Sequence, residues 1–211
     1  ARRGGRNSAG ANPQKTPRVR RMRITGGTMR GRRLSAPKGR DIRPAGDKVR
    51  QAVFNMLAAQ YGLPDENTVT LDGFCGTGAY GLEALSRGAG AALFLDRDIQ
   101  LVKTNIAACG AEDKSRIIKT DLTKLPQRPD QSPAAALAFL DPPYRQDLLP
   151  PSLKALAQSG WLAPGAVIVA ECEKNHIPAA PDGFAVADER NYGSSRIYIL
   201  EYGQETSSTP P

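Results

Sequence analysis

Four times between residues 68 and 141 a short β-prone run ends on an aspartate, at Asp72, Asp96, Asp121 and Asp141. The segments between follow a helical period. One runs from about Tyr80 to Arg87 and stops at Gly88. Another is capped by Asp98, carries Ile99, Val102, Ile106 and Cys109 on one face, and closes at Gly110. Strands alternating with amphipathic helices specify a doubly wound α/β sheet. The continuous apolar run Ala134–Leu140 suits a parallel strand covered on both faces. Ser152–Ser159 reads as a helix and Ala166–Ala170 as a fifth strand. Phe184–Ala187 and Arg196–Tyr202 read as a terminal antiparallel pair, and Trp161 as packed under the sheet. Open sheets of this kind bind ligands outside the carboxyl ends of their strands, which is where the four aspartates stand.

Between the first strand and the first helix of that alternation lies Asp72-Gly73-Phe74-Cys75-Gly76-Thr77-Gly78. Glycines there let a ligand approach the backbone. The stretch Gly76-Thr77-Gly78-Ala79-Tyr80-Gly81 also satisfies the dinucleotide pattern G-x-G-x-x-G, so an NAD(P) oxidoreductase is one candidate. Against it, the glycines begin three residues after Asp72 rather than at the strand end. An acid at Asp72 would face a pyrophosphate, whereas it suits an ammonium. These features favour S-adenosylmethionine. Asp72, Gly73, Phe74, Gly76, Thr77 and Gly78 are expected to hold its amino-acid end. Asp96, with Arg97 beside it, is expected to take the ribose hydroxyls. Asp121 and Leu122 are placed for the adenine amine and ring. For each acid the alternative role is capping the helix that follows.

The fourth aspartate opens Asp141-Pro142-Pro143-Tyr144. Neither proline has an N–H, and each biases its predecessor away from helix, so the strand ends in a stiff turn. An exocyclic base amine is a poor nucleophile because its lone pair is delocalised into the ring. Asp141 and the Pro142 carbonyl can accept its hydrogens and turn that pair outward, while Tyr144 stacks on the base. Asp141, Pro142, Pro143 and Tyr144 are therefore the expected catalytic set.

Charge is distributed unevenly. Residues 1–50 hold 16 Lys/Arg against 2 Asp/Glu, and residues 51–211 hold 13 against 19. A basic arm on an acidic domain fits a polyanion. Residues 1–20 read as a disordered basic arm and 204–211 as a disordered tail. Residues 21–62 form an RNA-binding extension: an arginine-rich β-hairpin at 21–34, a Pro/Gly loop with Arg43-Pro44, and a helix N-capped by Asp47 and ended by Gly62. Its candidate RNA contacts are Arg23, Arg30, Arg32, Arg33, Arg43, Lys48 and Arg50. Residues 63–203 are the cofactor-binding domain. Three scattered cysteines argue against disulfides or zinc. Neither a membrane-span pattern nor a secretion signal is read in the chain, and the unpaired cysteines make reduced cytoplasm the expected compartment; the methyl transfer expected at the base amine needs no metal. Cys75 reads as a small filler and His176 as solvent-facing.

Taken with Arg23-Ile24-Thr25-Gly26-Gly27, Arg30-Gly31-Arg32, Asp47-Lys48-Val49-Arg50, Phe54-Asn55, Gly81-Leu82-Glu83-Ala84-Leu85-Ser86-Arg87-Gly88-Ala89 and Tyr192-Gly193, the chain resembles the RsmD-type guanine-N2 methyltransferases of bacterial small-subunit ribosomal RNA. The resemblance spans about residues 21–202. It implies a Rossmann-like, seven-stranded class I methyltransferase fold and S-adenosylmethionine as cofactor. It also implies methylation of 16S ribosomal RNA, naked or in a partly assembled small subunit; a monomer is expected. Methylation of another base amine, adenine N6 or cytosine N4, stays open. Ala45-Gly46 stands where the family commonly has hydroxyl residues after Arg-Pro, and Phe74-Cys75-Gly76-Thr77-Gly78 where it commonly has Phe-Ala-Gly-Ser-Gly.

Overall fold

The computed structural model describes residues 22–37, 46–143, 147–173, 180–192 and 195–203. The basic arm, Arg43-Pro44, Tyr144, His176, Gly193 and the 204–211 tail lie outside the described residues.

The sheet has seven strands: β1 (Val69–Gly73), β2 (Ala91–Asp96), β3 (Ser115–Lys119), β4 (Ala135–Leu140), β5 (Leu162–Glu173), β6 (Phe184–Tyr192) and β7 (Ser195–Tyr202). Their order across the sheet is β3-β2-β1-β4-β5-β7-β6. The first five are parallel, and β7 runs antiparallel to both β5 and β6. The order reverses between β1 and β4, which opens a crevice at their carboxyl ends. Helices α1 (Gly46–Tyr61), α2 (Ala79–Ser86) and α3 (Gln100–Cys109) bury their apolar stripes on one face, against Phe94, Phe139, Val169 and Ile199. Helix α4 (Leu149–Gln158) and Trp161 cover the other face, against Leu95, Leu140 and Ile168. Among the described residues no helix is long and apolar enough to cross a membrane.

Several boundaries differ from the sequence expectation. Helix α4 starts at Leu149 and takes in Pro150 and Pro151, because the missing N–H groups fall in the first turn, where none is used. Strand β5 begins four residues earlier than expected. Its Pro164-Gly165 is accommodated by a register shift opposite Ala135–Leu137. Asp47 lies inside the first turn of α1 and is not its N-cap; its carboxylate pairs with Arg50 at 2.9 Å. The hairpin is short, with a single antiparallel bridge at Arg23↔Arg33.

This hairpin shares the core of the sheet. Ile24 and Leu34 join α1 and α2 in one apolar cluster. Gly26 and Gly27 lie hard against the end of α2, where a Cβ on Gly27 would come within 1.8 Å of the Ser86 carbonyl. A buried carboxylate ties the pieces together. Glu83 of α2, 0% exposed, accepts from the Thr25 N–H and hydroxyl at 2.7 Å each. It also pairs with Arg87 at 2.8 Å and Arg50 at 3.4 Å. Paired and hydrogen-bonded, the charge is tolerable inside; unpaired, it would be costly.

Candidate functional site

A cleft of about 980 Å³ opens at the β1/β4 switch point, large enough for a nucleoside-sized ligand and more. Its floor is built by the turn from β1 into α2. Phe74 is held at φ 57 and Gly76 at φ 49, left-handed backbone that glycine adopts freely and phenylalanine only under constraint. Three bonds hold the turn. Cys75 N–H donates to the Leu95 carbonyl at 3.3 Å, Gly78 N–H to the Cys75 carbonyl at 2.6 Å, and Gly76 N–H to Asp96 Oδ2 at 2.8 Å. Asn105, buried in α3, donates to the carbonyls of Thr77 and Ser35, which clamps the loop to the extension.

Asp72 points from β1 into this cleft and is 3% exposed. Its Oδ2 accepts from the Gly81 N–H at 2.8 Å. Burial pushes its carboxyl up to about 7, and the Asp96 charge adds to this. The Gly81 hydrogen bond and the positive charge of Arg50 work the other way. A buried acid facing an open cleft is a place for a cation. A pyrophosphate there would face Asp72, so an ammonium-bearing ligand suits the cleft better. Asp96, at the end of β2, accepts from Gly76 and Asp98 and keeps acceptor capacity toward the cleft.

Phe74, Gly76, Thr77, Arg97 and Leu122 join Asp72 and Asp96 in the lining, and Asp141, Pro142 and Pro143 complete it from β4. Gly73 and Gly78 contribute by packing. A Cβ on Gly73 would meet Leu122 at 2.5 Å and Leu140 at 2.7 Å, and one on Gly78 would meet Val102 at 2.7 Å. Asp121 is not part of the lining. Its carboxylate caps the short 3-10 turn Leu122–Lys124 through the Thr123 N–H and hydroxyl and pairs with Arg97. Arg97, then the Thr123 contacts, hold its carboxyl down at about 2. The capping alternative therefore describes Asp121. Tyr144 and Arg43 lie outside the described residues.

The sequence pattern sets Arg50 toward solvent with Lys48, and the structure places it inside. It is 3% exposed and bonded to Glu83, Asp47 and the Arg23 carbonyl. Helical phase explains the difference: Arg50 follows Val49 and precedes Val53 on the buried stripe, and Glu83 neutralises it there. Arg23, Arg30, Arg32, Arg33 and Lys48 are exposed.

Further lining residues include Met22, Cys75, Tyr80, Thr120 and Glu171. Cys75 is buried, and burial pushes its thiol far up, so it is inert filling as expected. Tyr80 stacks on Phe139 with centroids 4.7 Å apart. Its place directly after the glycine loop was the only sequence signal for it. Glu171 enters because β5 lies beside β4, an adjacency that local pattern does not encode.

The family model described as conserved hypothetical protein 95 matches residues 22–201. The ribosomal RNA small subunit methyltransferase D of Escherichia coli is 36% identical over 194 residues, 89% of this chain and 94% of that protein. That of Haemophilus influenzae is 34% identical over 184 residues, 84% and 93% respectively. A solved structure of a candidate methyltransferase from Escherichia coli superposes with a TM-score of 0.73 at 31% identity, covering 88% of this chain and 99% of that one. An RNA methyltransferase from Salinibacter ruber, solved with S-adenosyl-L-homocysteine, shares the fold at a TM-score of 0.52 and 19% identity, over 75% and 95%.

Proposed function

The chain belongs to the conserved hypothetical protein 95 family, and from that membership we propose that it methylates the exocyclic N2 amine of a guanine in 16S ribosomal RNA with S-adenosylmethionine as methyl donor. The observation that carries the proposal is the sharing of one cleft by Asp72, Asp96 and the glycine loop on one side and Asp141-Pro142 on the other. Cofactor and base then meet across the switch point. When bound, the cofactor supplies a methyl group on a positively charged sulfur.

Asp72 pairs with the cofactor's ammonium, and Asp96 accepts from its ribose hydroxyls. Asp141 and the Pro142 carbonyl accept the two amine hydrogens and turn the nitrogen lone pair toward the methyl carbon. With the cofactor bound, that lone pair would take the methyl group, and the bonding pair of the methyl–sulfur bond would stay with sulfur. The surplus proton passes to Asp141 and then to water. Positioning supplies most of the acceleration. In sequence Tyr144 follows as a stacking platform for the base.

Residues 21–62 serve as the RNA-binding element, with 63–203 as the methyltransferase domain. Arg23 and Arg33 are opposed across the hairpin bridge. Arg23 also pairs with Asp47 at 3.6 Å, and Arg33 adds an exposed positive charge beside it that suits a phosphate. Arg30, Arg32 and Lys48 extend the basic surface, and Arg43 belongs to it by sequence. The substrate is 16S ribosomal RNA, free or in a partly assembled small subunit, and the enzyme acts as a monomer in the cytoplasm. The test is mass spectrometry of 16S ribosomal RNA nucleosides from cells lacking the protein. One N2-methylguanosine should disappear and return with the wild-type gene but not with Asp141→Ala. An unchanged N2-methylguanosine content would refute the proposal.

A further inference from the structure

We infer that Glu171 accepts the N1–H of the target guanine and so selects guanine over the other amine-bearing bases. This rests on the proposed reading of the cleft as a base-amine methylation site. Leu140 of β4 lies in register with Ala170 of β5. One residue further along each parallel strand, Asp141 and Glu171 reach the carboxyl edge side by side, and both line the cleft. By strand alternation they share the face of Phe139 and Val169, which is also the face on which Tyr80 stacks. Burial first, and then the charges of Glu171 and Asp141, push the Tyr80 hydroxyl well up. Asp141 is exposed and Glu171 half-buried. Arg50 also lines this cleft, with its guanidinium bonded to Glu83 and Asp47.

The edges of the bases supply the discrimination. A carboxylate only accepts hydrogen bonds. Guanine alone places a ring N–H, at N1, beside its exocyclic amine, so Asp141 and Glu171 meet donors at both atoms. Adenine and cytosine put a ring-nitrogen lone pair beside theirs. In that position the lone pair faces Glu171 and is repelled, and Glu171 gains no bond from the base. Selectivity thus comes from the penalty on the wrong base as much as from the bond to the right one.

The probe is unmodified 16S ribosomal RNA rebuilt by splinted ligation with guanine or 2-aminopurine at the methylated position. 2-Aminopurine keeps the N2 amine and carries a lone pair at N1. Single-turnover rates are measured on both RNAs for wild type and Glu171→Gln, whose amide can donate to that lone pair. S-adenosylhomocysteine binding by calorimetry checks that the variant is folded. Wild type should prefer guanine by about a hundredfold or more, and the variant should reduce this ratio at least about tenfold. Intrinsic reactivity of the two bases cancels in the comparison. An equal ratio in both proteins overturns the role of Glu171 and leaves the methyltransferase assignment standing. Formation of N6-methyladenine or N4-methylcytosine by the wild-type enzyme would overturn both.

Discussion

Replacing Asp72 by asparagine separates a charge role from a packing role, because the two side chains have nearly the same shape. In the free protein burial holds the Asp72 carboxyl at about 7. Pairing with an ammonium requires the ionised form, so binding of S-adenosylhomocysteine expels the proton that Asp72 carries. Affinity should therefore fall about tenfold, or about 1.4 kcal/mol, for each pH unit below about 7 and level off above it. Calorimetry in buffers of differing ionisation enthalpy should register release of close to one proton at about pH 6 and almost none at about pH 8. Asp72→Asn loses a charged hydrogen bond worth about 1.5–3 kcal/mol, and its affinity should be flat with pH. Stability moves in the opposite sense. The unfolded chain gives up this proton near the ordinary value of 3.8 and the folded one only near about 7. Between those limits the native state binds more protons, so the free protein loses stability as pH rises through the window. At about pH 8 the asparagine variant, which has no charge to bury, should be the more stable in the absence of ligand. A wild-type affinity that stays level from about pH 5 to about pH 8 would refute the assignment of Asp72 to the ammonium.

Asp141→Ala should lower single-turnover methylation by about 10² or more while cofactor affinity stays within error, since it removes one preorganised acceptor at the reacting amine. Glu83→Ala should cost about 3–5 kcal/mol in urea unfolding, because Arg50 and Arg87 lose the carboxylate they share. Arg50→Gln should likewise appear in stability, with the salt dependence of RNA binding unchanged. Neutralising the exposed Arg30 and Arg33 should reduce the slope of log affinity against log salt by about 0.7–0.9 for each phosphate no longer neutralised, with stability preserved. A salt slope that answers to Arg50 and not to Arg30 and Arg33 would reverse this division.

The alternation of strands and helices could be anticipated because its causes are local. Apolar runs ending on Asp72, Asp96 and Asp141 and helices with a single apolar stripe leave few ways to bury their surfaces. The glycine loop and Asp141-Pro142-Pro143 were legible for the same reason, since backbone conformation and missing N–H groups are properties of the residues themselves. Other assignments depended on which surfaces meet. Arg50 reads as one more cation of a basic segment until α1 docks on α2, where Glu83 makes its burial tolerable. Asp121 is chemically equivalent to Asp96 in sequence. Arg97 and the Thr123 turn engage its oxygens, while one oxygen of Asp96 holds the glycine loop at Gly76. Glu171 reaches the cleft only because β5 lies next to β4, a pairing between residues about thirty apart in the chain. Local propensity and hydrophobic period determined the elements and the loop chemistry. Which charges are paired, buried or turned into the cleft was decided by tertiary packing, because a carboxylate or guanidinium takes its role from the partners that packing brings within hydrogen-bond reach.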